Sequence, residues 1–153
     1  MKNEGLKLTG IWTFTIKDAK TGEVKRVEKY KNIIPTVGRT MIANNLTDTS
    51  PDNTMLVSHV ALGSGTNVPA NGDTTLQTET YRNSVASRTN ASNVAYVSGF
   101  FSATETSGTY REAAVFSNGT ASANSGVLLS RVAINITKSA TETLTCDWVL
   151  TIS

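Results

Sequence analysis

Catalysis in this chain would have to come from one histidine, one cysteine and 12 acidic residues, and their placement argues against it. His59 sits within the apolar run of Val57, Val60 and Leu62, where a lone imidazole serves structure more readily than proton transfer or ligation. No serine and carboxylate stand at a spacing that completes a nucleophile–base–acid set around it. Cys146 alternates in phase with Trp148 and reads as a small apolar filler rather than a nucleophile. A single cysteine allows neither an internal disulfide nor a thiolate cluster for zinc. Glu79, Glu105 and Glu112 are the acids a glycosidase-like pair would draw on, but nothing in their spacing favours it. Gly63-Ser64-Gly65 lacks the lysine and following helix of a phosphate loop and reads as a turn. Four Asn-x-Ser/Thr triplets, at Asn45, Asn90, Asn118 and Asn135, are chance matches in a chain with 24 Thr and 15 Ser. The residues point to no enzyme, no cofactor and no metal site.

Charge pairs carry more information. Glu79 and Arg82 flank the start of one expected strand, and Arg111-Glu112 opens another that is otherwise apolar (Ala113, Ala114, Val115, Phe116). Adjacent strand residues point to opposite faces, so either Arg111 or Glu112 must face inward or toward a neighbouring subunit. A charge held there needs a partner. The stretch from His59 to Arg82 is the segment around which the rest is arranged. Its apolar run breaks at Gly63-Ser64-Gly65, where two glycines release the backbone, and Pro69 stiffens the exit.

Net charge is only +2, but residues 1–31 hold eight of the 14 Lys and Arg and four of the 12 acids. Lys17, Lys20, Lys25, Arg26, Lys29 and Lys31 are therefore the candidate partner-binding residues, a basic hairpin that would meet an acidic surface. A merely solvated hairpin carries the same pattern. No aromatic pattern among these cations supports base stacking, so a protein partner is expected ahead of nucleic acid.

The elements that must position these groups are strands. Ile11 to Lys17 alternates with Trp12, Phe14 and Ile16 on one face, and Asp18 to Gly22 is a hairpin connection. The return strand, Glu23 to Tyr30, has Val24 and Val27 out of phase, as an edge position or a bulge would produce. A short helix is expected over residues 35–46, capped by Thr36 and weakened by Gly38, with Val37 and Met41 on one face and Ile42 and Leu46 on another. A polar loop, Thr47 to Thr54, leads to the strand Met55 to Leu62. Further strands are expected at Glu79–Arg88, Val94–Ser102, Tyr110–Ser117, Val127–Thr137 and Thr141–Ile152, joined by turn-forming Asn, Ser and Gly. Leu128, Ser130, Val132, Ile134 and Ile136 share one face. Leu144, Cys146, Trp148, Leu150 and Ile152 share another.

The composition agrees. Charged residues make up 17% of the chain, against roughly 25% in typical domains, and polarity comes from Thr and Ser instead. The expected fold is all-β: one domain over residues 1–153, an antiparallel β-sandwich of about eight strands plus one helix, with a jelly roll as one form of it. Its core should include Trp12, Phe14, Leu62, Val132, Ile134, Trp148 and Leu150. No apolar run is long enough to span a membrane, and the N-terminus lacks a signal-peptide core.

Over about residues 30–153 the chain resembles the small structural proteins of tailed bacteriophages. The resemblance is carried by ALGSGTNVPANGDTTLQTE followed by Arg82, and by YREAAVF (Tyr110–Phe116), in which a Glu precedes a small residue, an apolar residue and Phe. It is carried also by LLSRVAINITKSATETLTCDWVLTIS, with its Arg131, Lys138 and Trp148, and by the lead-in KNIIPTVGRTMIANNL. It implies a virion structural protein made in the host cytoplasm: a capsid decoration protein that binds the shell as an oligomer, a trimer for instance. A tail, baseplate or fibre component, including a receptor- or glycan-binding adhesin, is the alternative. The implied partners are other virion proteins, the major capsid protein first. It implies no catalytic residues.

Overall fold

The computed structural model describes residues 5–48 and 54–153. Positions 49–53 of the expected polar loop, and Lys2 and Glu4 of the basic arm, lie outside the described residues. Two antiparallel sheets pack face to face. The chain opens with β1 (Leu8–Asp18) and β2 (Val24–Lys31), then α1 (Thr36–Thr47) and β3 (Val57–Gly63). There follow β4 (Glu79–Ser84), β5 (Ser87–Ala91), β6 (Val94–Phe101), β7 (Gly108–Ser117), β8 (Val127–Lys138) and β9 (Glu142–Ile152). The larger sheet runs β2-β1-β9-β6-β5 and the smaller β4-β3-β7-β8.

Period-two alternation produces the core. Trp12, Phe14 and Ile16 from β1 and Leu144, Cys146 and Trp148 from β9 meet Val60, Leu62, Val132, Ile134 and Ile136 of the facing sheet. Both indoles are satisfied inside: Trp12 Nε1 donates to Ser130 Oγ at 3.0 Å and Trp148 Nε1 to Asn32 Oδ1 at 3.2 Å. Of the expected core, only Leu150 is partly exposed, because it lies near the open end of β9. As its irregular pattern suggested, β2 is an edge strand, and its register slips opposite Ile16/Lys17.

Three expectations need correction. The single strand expected over Glu79–Arg88 is two strands in different sheets, which brings the total to nine. Val85 N bonds to Ser58 O of the smaller sheet and Ala86 N to Ser98 O of the larger, so the chain changes layers within one residue. Leu128 does not share the face of Val132. A register irregularity opposite Val115/Phe116 turns it outward, where it joins Ala61, Leu76, Ala114 and Phe116 in a second apolar cluster.

The helix also differs from expectation. Pro35 occupies the N-cap position with no side-chain cap, and Thr36 Oγ1 instead accepts a hydrogen bond from Arg39. Gly38 and Met41 are its buried residues, while Leu46 is exposed. Gly38 is where the helix rests on β8: a Cβ there would stand 2.9 Å from the Leu128 carbonyl oxygen. The helix and the loop between β3 and β4 cover the outer face of the smaller sheet, contributing Val37 and Leu76 to the second cluster.

Candidate interaction surface

The loop from Gly63 to Thr78 is held down by one carboxylate. Glu112, on β7, is 1% exposed, whereas its neighbour Arg111 points to solvent. Glu112 Oε1 accepts from Gly65 N at 3.1 Å and Thr78 N at 2.7 Å, and Oε2 accepts from Gln77 N at 2.9 Å. The buried charge is matched by Arg131 of β8, whose Nη2 lies 2.7 Å from Oε2. Arg131 reaches onward to Asp73 Oδ2 and Asn67 Oδ1, both at 2.5 Å, and so ties the far limb of the loop to the same point. Its Nε is the one buried side-chain polar atom left without an acceptor among the described residues. The glycines of Gly63-Ser64-Gly65 serve close approach rather than a strained turn. A Cβ at Gly63 would lie 2.6 Å, and at Gly65 2.5 Å, from Glu112 Oε1.

Glu79 and Arg82 form a second clasp. Their side chains pair with Arg82 Nε at 2.5 Å from Glu79 Oε1 and Nη2 at 2.8 Å from Oε2. Arg82 lies over the Phe116 ring, 4.7 Å from its centroid, and its Nη1 donates to the carbonyls of Thr120 and Ser125. Glu79 Oε2 accepts from Asn124 N at 2.8 Å, so the pair fixes the loop between β7 and β8. His59 is buried beside this clasp. Burial holds its pKa below the ordinary value, and the Arg82 cation adds to the effect. Its Nδ1 lies 3.0 Å from Ser58 Oγ. That hydroxyl donates to Phe116 O and accepts from Gly119 N, so it is committed to the backbone. Glu79, Glu105 and Glu112 do not converge. Glu105 caps the turn after β6 through Ser102 N, which lowers its pKa.

A third buried charge, Lys138, was legible only as one of the positions carrying the resemblance. Its Nζ is held by the carbonyl of Thr106 at 2.5 Å and more loosely by those of Ser139 and Ala103. Burial lowers its pKa, opposed by Glu142 and Glu105. Arg131 too was legible only as such a position, and Asn67 and Asp73 gave no signal at all. Among the described residues no cluster of His, Cys, Asp and Glu could hold a metal ion, and no helix is long and apolar enough to cross a membrane.

The six cations of the basic hairpin do not act as one group. Lys25 Nζ lies 3.4 Å from Asp18 and 3.5 Å from Glu142, and Arg26 bonds to the Thr137 carbonyl with Glu142 4.0 Å away. These two belong to the fold. Lys20 sits in the turn, where its backbone N–H bonds to Asp18 Oδ1. Lys17, Lys29 and Lys31 are exposed on the outer face of the larger sheet, as their pairing with Val24, Thr13 and Ile11 requires. This face also displays Ile11, Val27, Tyr96 and Phe100. Of the tyrosines that could contact a sugar, Tyr96 is exposed, Tyr81 half-buried and Tyr110 buried. Compared with known proteins, the chain matches no family model, no curated protein and no solved structure.

Proposed function

We propose that this chain is a structural protein of a bacteriophage virion, without catalytic activity, and that it decorates the assembled capsid as an oligomer. The observation that carries the reading is where the resembling residues fall. Glu112 and Arg131 form the buried pair that clamps the long loop, Arg82 clamps the next one, and Lys138 and Trp148 are buried. These positions of the likeness therefore belong to the framework of the fold rather than to its exposed surface. That framework fixes polar loops on a rigid sandwich, and repeated modest contacts multiplied by oligomerisation give tight attachment. The major capsid protein is the proposed partner, met by the exposed Lys17, Lys29 and Lys31 of the basic hairpin.

A tail or baseplate component is the second reading, favoured by exposed Tyr96, which a glycan-binding adhesin could use. Particles purified from lysates of cells expressing the chain, washed at rising salt, test the function. The reading expects the chain to co-sediment and to be shed as salt rises. It is overturned if the chain stays with the soluble fraction. Turnover of peptidoglycan or bacterial polysaccharide by the purified chain, abolished by carboxylate substitution, would overturn the non-catalytic part.

A further inference from the structure

The two sheets differ in what covers them. The smaller sheet has the helix and the Gly63–Thr78 loop on its outer face, with the second apolar cluster between. The larger sheet has no described element packed on its outer face, yet that face is not simply polar. Cross-strand registers place Ile11 beside Val149 and Val149 beside Tyr96, and likewise Thr15 between Val27 and Thr145, with Phe100 on the far side of Thr145. Tyr96 is 42%, Phe100 44% and Val27 53% exposed. Lys17, Lys29 and Lys31 stand on the same face along β1 and β2. Asp147, midway across, is its one acidic side chain among the described residues, and a shallow hollow of about 160 Å3 opens between Asp147, Tyr96 and Val149.

The edges of the sheet are poor alternatives for assembly. Lysines guard β2, and β5 has only five residues, both devices that discourage strand addition. Contact through the face is therefore favoured over contact through an edge.

We propose that the outer face of the five-stranded sheet is a docking surface for an acidic protein surface that presents aromatic or aliphatic side chains between its carboxylates. The lysines at one side select an acidic partner by charge complementarity. Tyr96, Phe100, Ile11 and Val27 supply apolar anchors that a polyanion such as nucleic acid would leave unmatched, and the hollow beside Tyr96 takes one inserted side chain. The inference rests on the reading of the chain as a piece of a larger assembly, but it is tested without that assembly.

The probe is a random Glu/Tyr copolymer titrated into the full isotope-labelled chain and followed by amide chemical shifts, with oligo-dT as a comparison. The expected result is saturable shifts confined to β1, β2, β6 and β9 at Ile11, Lys29, Tyr96, Phe100 and Val149. Lys29→Glu/Lys31→Glu and, separately, Tyr96→Ser/Phe100→Ser should each weaken binding at least about tenfold, with the melting transition of each variant confirming that it is folded. No shifts, or shifts centred on another surface, overturn the proposal. Tighter binding of oligo-dT to this face overturns it in favour of nucleic acid. Sedimentation showing an oligomer in which Tyr96 and Phe100 are protected from hydroxyl-radical oxidation overturns it in favour of a second copy. In purified particles, oxidation of Tyr96 and Phe100 at the free-chain rate also overturns it while leaving the virion assignment standing.

Discussion

Arg131 Nη2 lies 2.7 Å from Glu112 Oε2, with both side chains 1% exposed, and this pair fixes where the long loop between β3 and β4 lies. Breaking a buried pair by removing one partner strands the other charge, at a cost of about 3–5 kcal/mol. Glu112→Ala should lose about that much in a denaturant titration, since three loop amides lose their acceptor too. Hydrogen exchange gives the sharper reading. The amides of Gly65, Gln77 and Thr78 should lose protection in the variant while β1 and β9 keep theirs. Unchanged exchange at those three amides would show that the loop is held by something else.

Gly38→Ala separates helix propensity from packing. By propensity alone, alanine in a helix interior gains about 1 kcal/mol over glycine. Here the added methyl would meet the Leu128 carbonyl oxygen at 2.9 Å, so the helix must lift from β8. The predicted outcome is a lower melting temperature, and a higher one would mean that the helix does not rest on β8 at this point.

Trp148→Ala tests the register of the last strand. The ring is buried and its indole N–H is bonded to Asn32, so truncation should cost about 3–5 kcal/mol. A loss below about 1 kcal/mol would remove Trp148 from the core.

Much of this is legible in the sequence. Alternation in β1 and β9 assigned the core faces of Trp12, Phe14, Cys146 and Trp148, because a one-residue slip would have turned them to solvent. Adjacency of Arg111 and Glu112 put one of them inward or toward a neighbouring subunit; Glu112 is buried, but beneath the loop between β3 and β4 on the outer face of the smaller sheet. What could not be read was pairing at a distance. Arg131 lies 19 residues from Glu112 in sequence, and no local pattern joins them. Gly63 and Gly65 looked like turn glycines because close approach to Glu112 leaves no mark in neighbouring residues. The split of β4 from β5 was hidden because a chain that crosses between layers at Val85/Ala86 keeps strand-like residues throughout. The basic hairpin divides for a local reason: Arg26 alternates onto the face of Ile16 and Lys25 lies at the register slip, both near Glu142, while Lys29 and Lys31 pair with Thr13 and Ile11 on the open face.

Acid should weaken the hairpin end of the sandwich. Backbone N–H groups of Thr21 and Lys20 hold the Asp18 carboxyl at about 2, and Ser139 N–H lowers that of Glu142. Carboxyls with depressed folded values give stability that is complete above their unfolded range near about 4 and is lost as pH falls through the folded values. The denaturation midpoint should begin to fall below about 6.5, where the unfolded chain protonates His59 more readily than the folded one, and should fall further below about 4, with Asp18→Asn making that lower fall shallower. A midpoint that rises on acidification would contradict the assignment.

Charge reversal at the surface should depend on which lysines are chosen. Lys29→Glu/Lys31→Glu should weaken attachment to particles without changing the melting temperature, since surface positions shift stability by no more than about 0.5 kcal/mol. Lys25→Glu/Arg26→Glu should lower the melting temperature, because both side chains face Glu142. Equal effects of the two pairs on both readouts would dissolve the distinction.

The proposal of a capsid decoration protein is tested most directly by counting copies of the chain in purified virions by quantitative mass spectrometry, with antibody labelling to place them. Decoration of a symmetric shell at equivalent points predicts on the order of hundreds of copies spread over the head. About a dozen or fewer, confined to one vertex or to the tail, would replace decoration with the tail reading, and none at all would contradict the virion assignment itself.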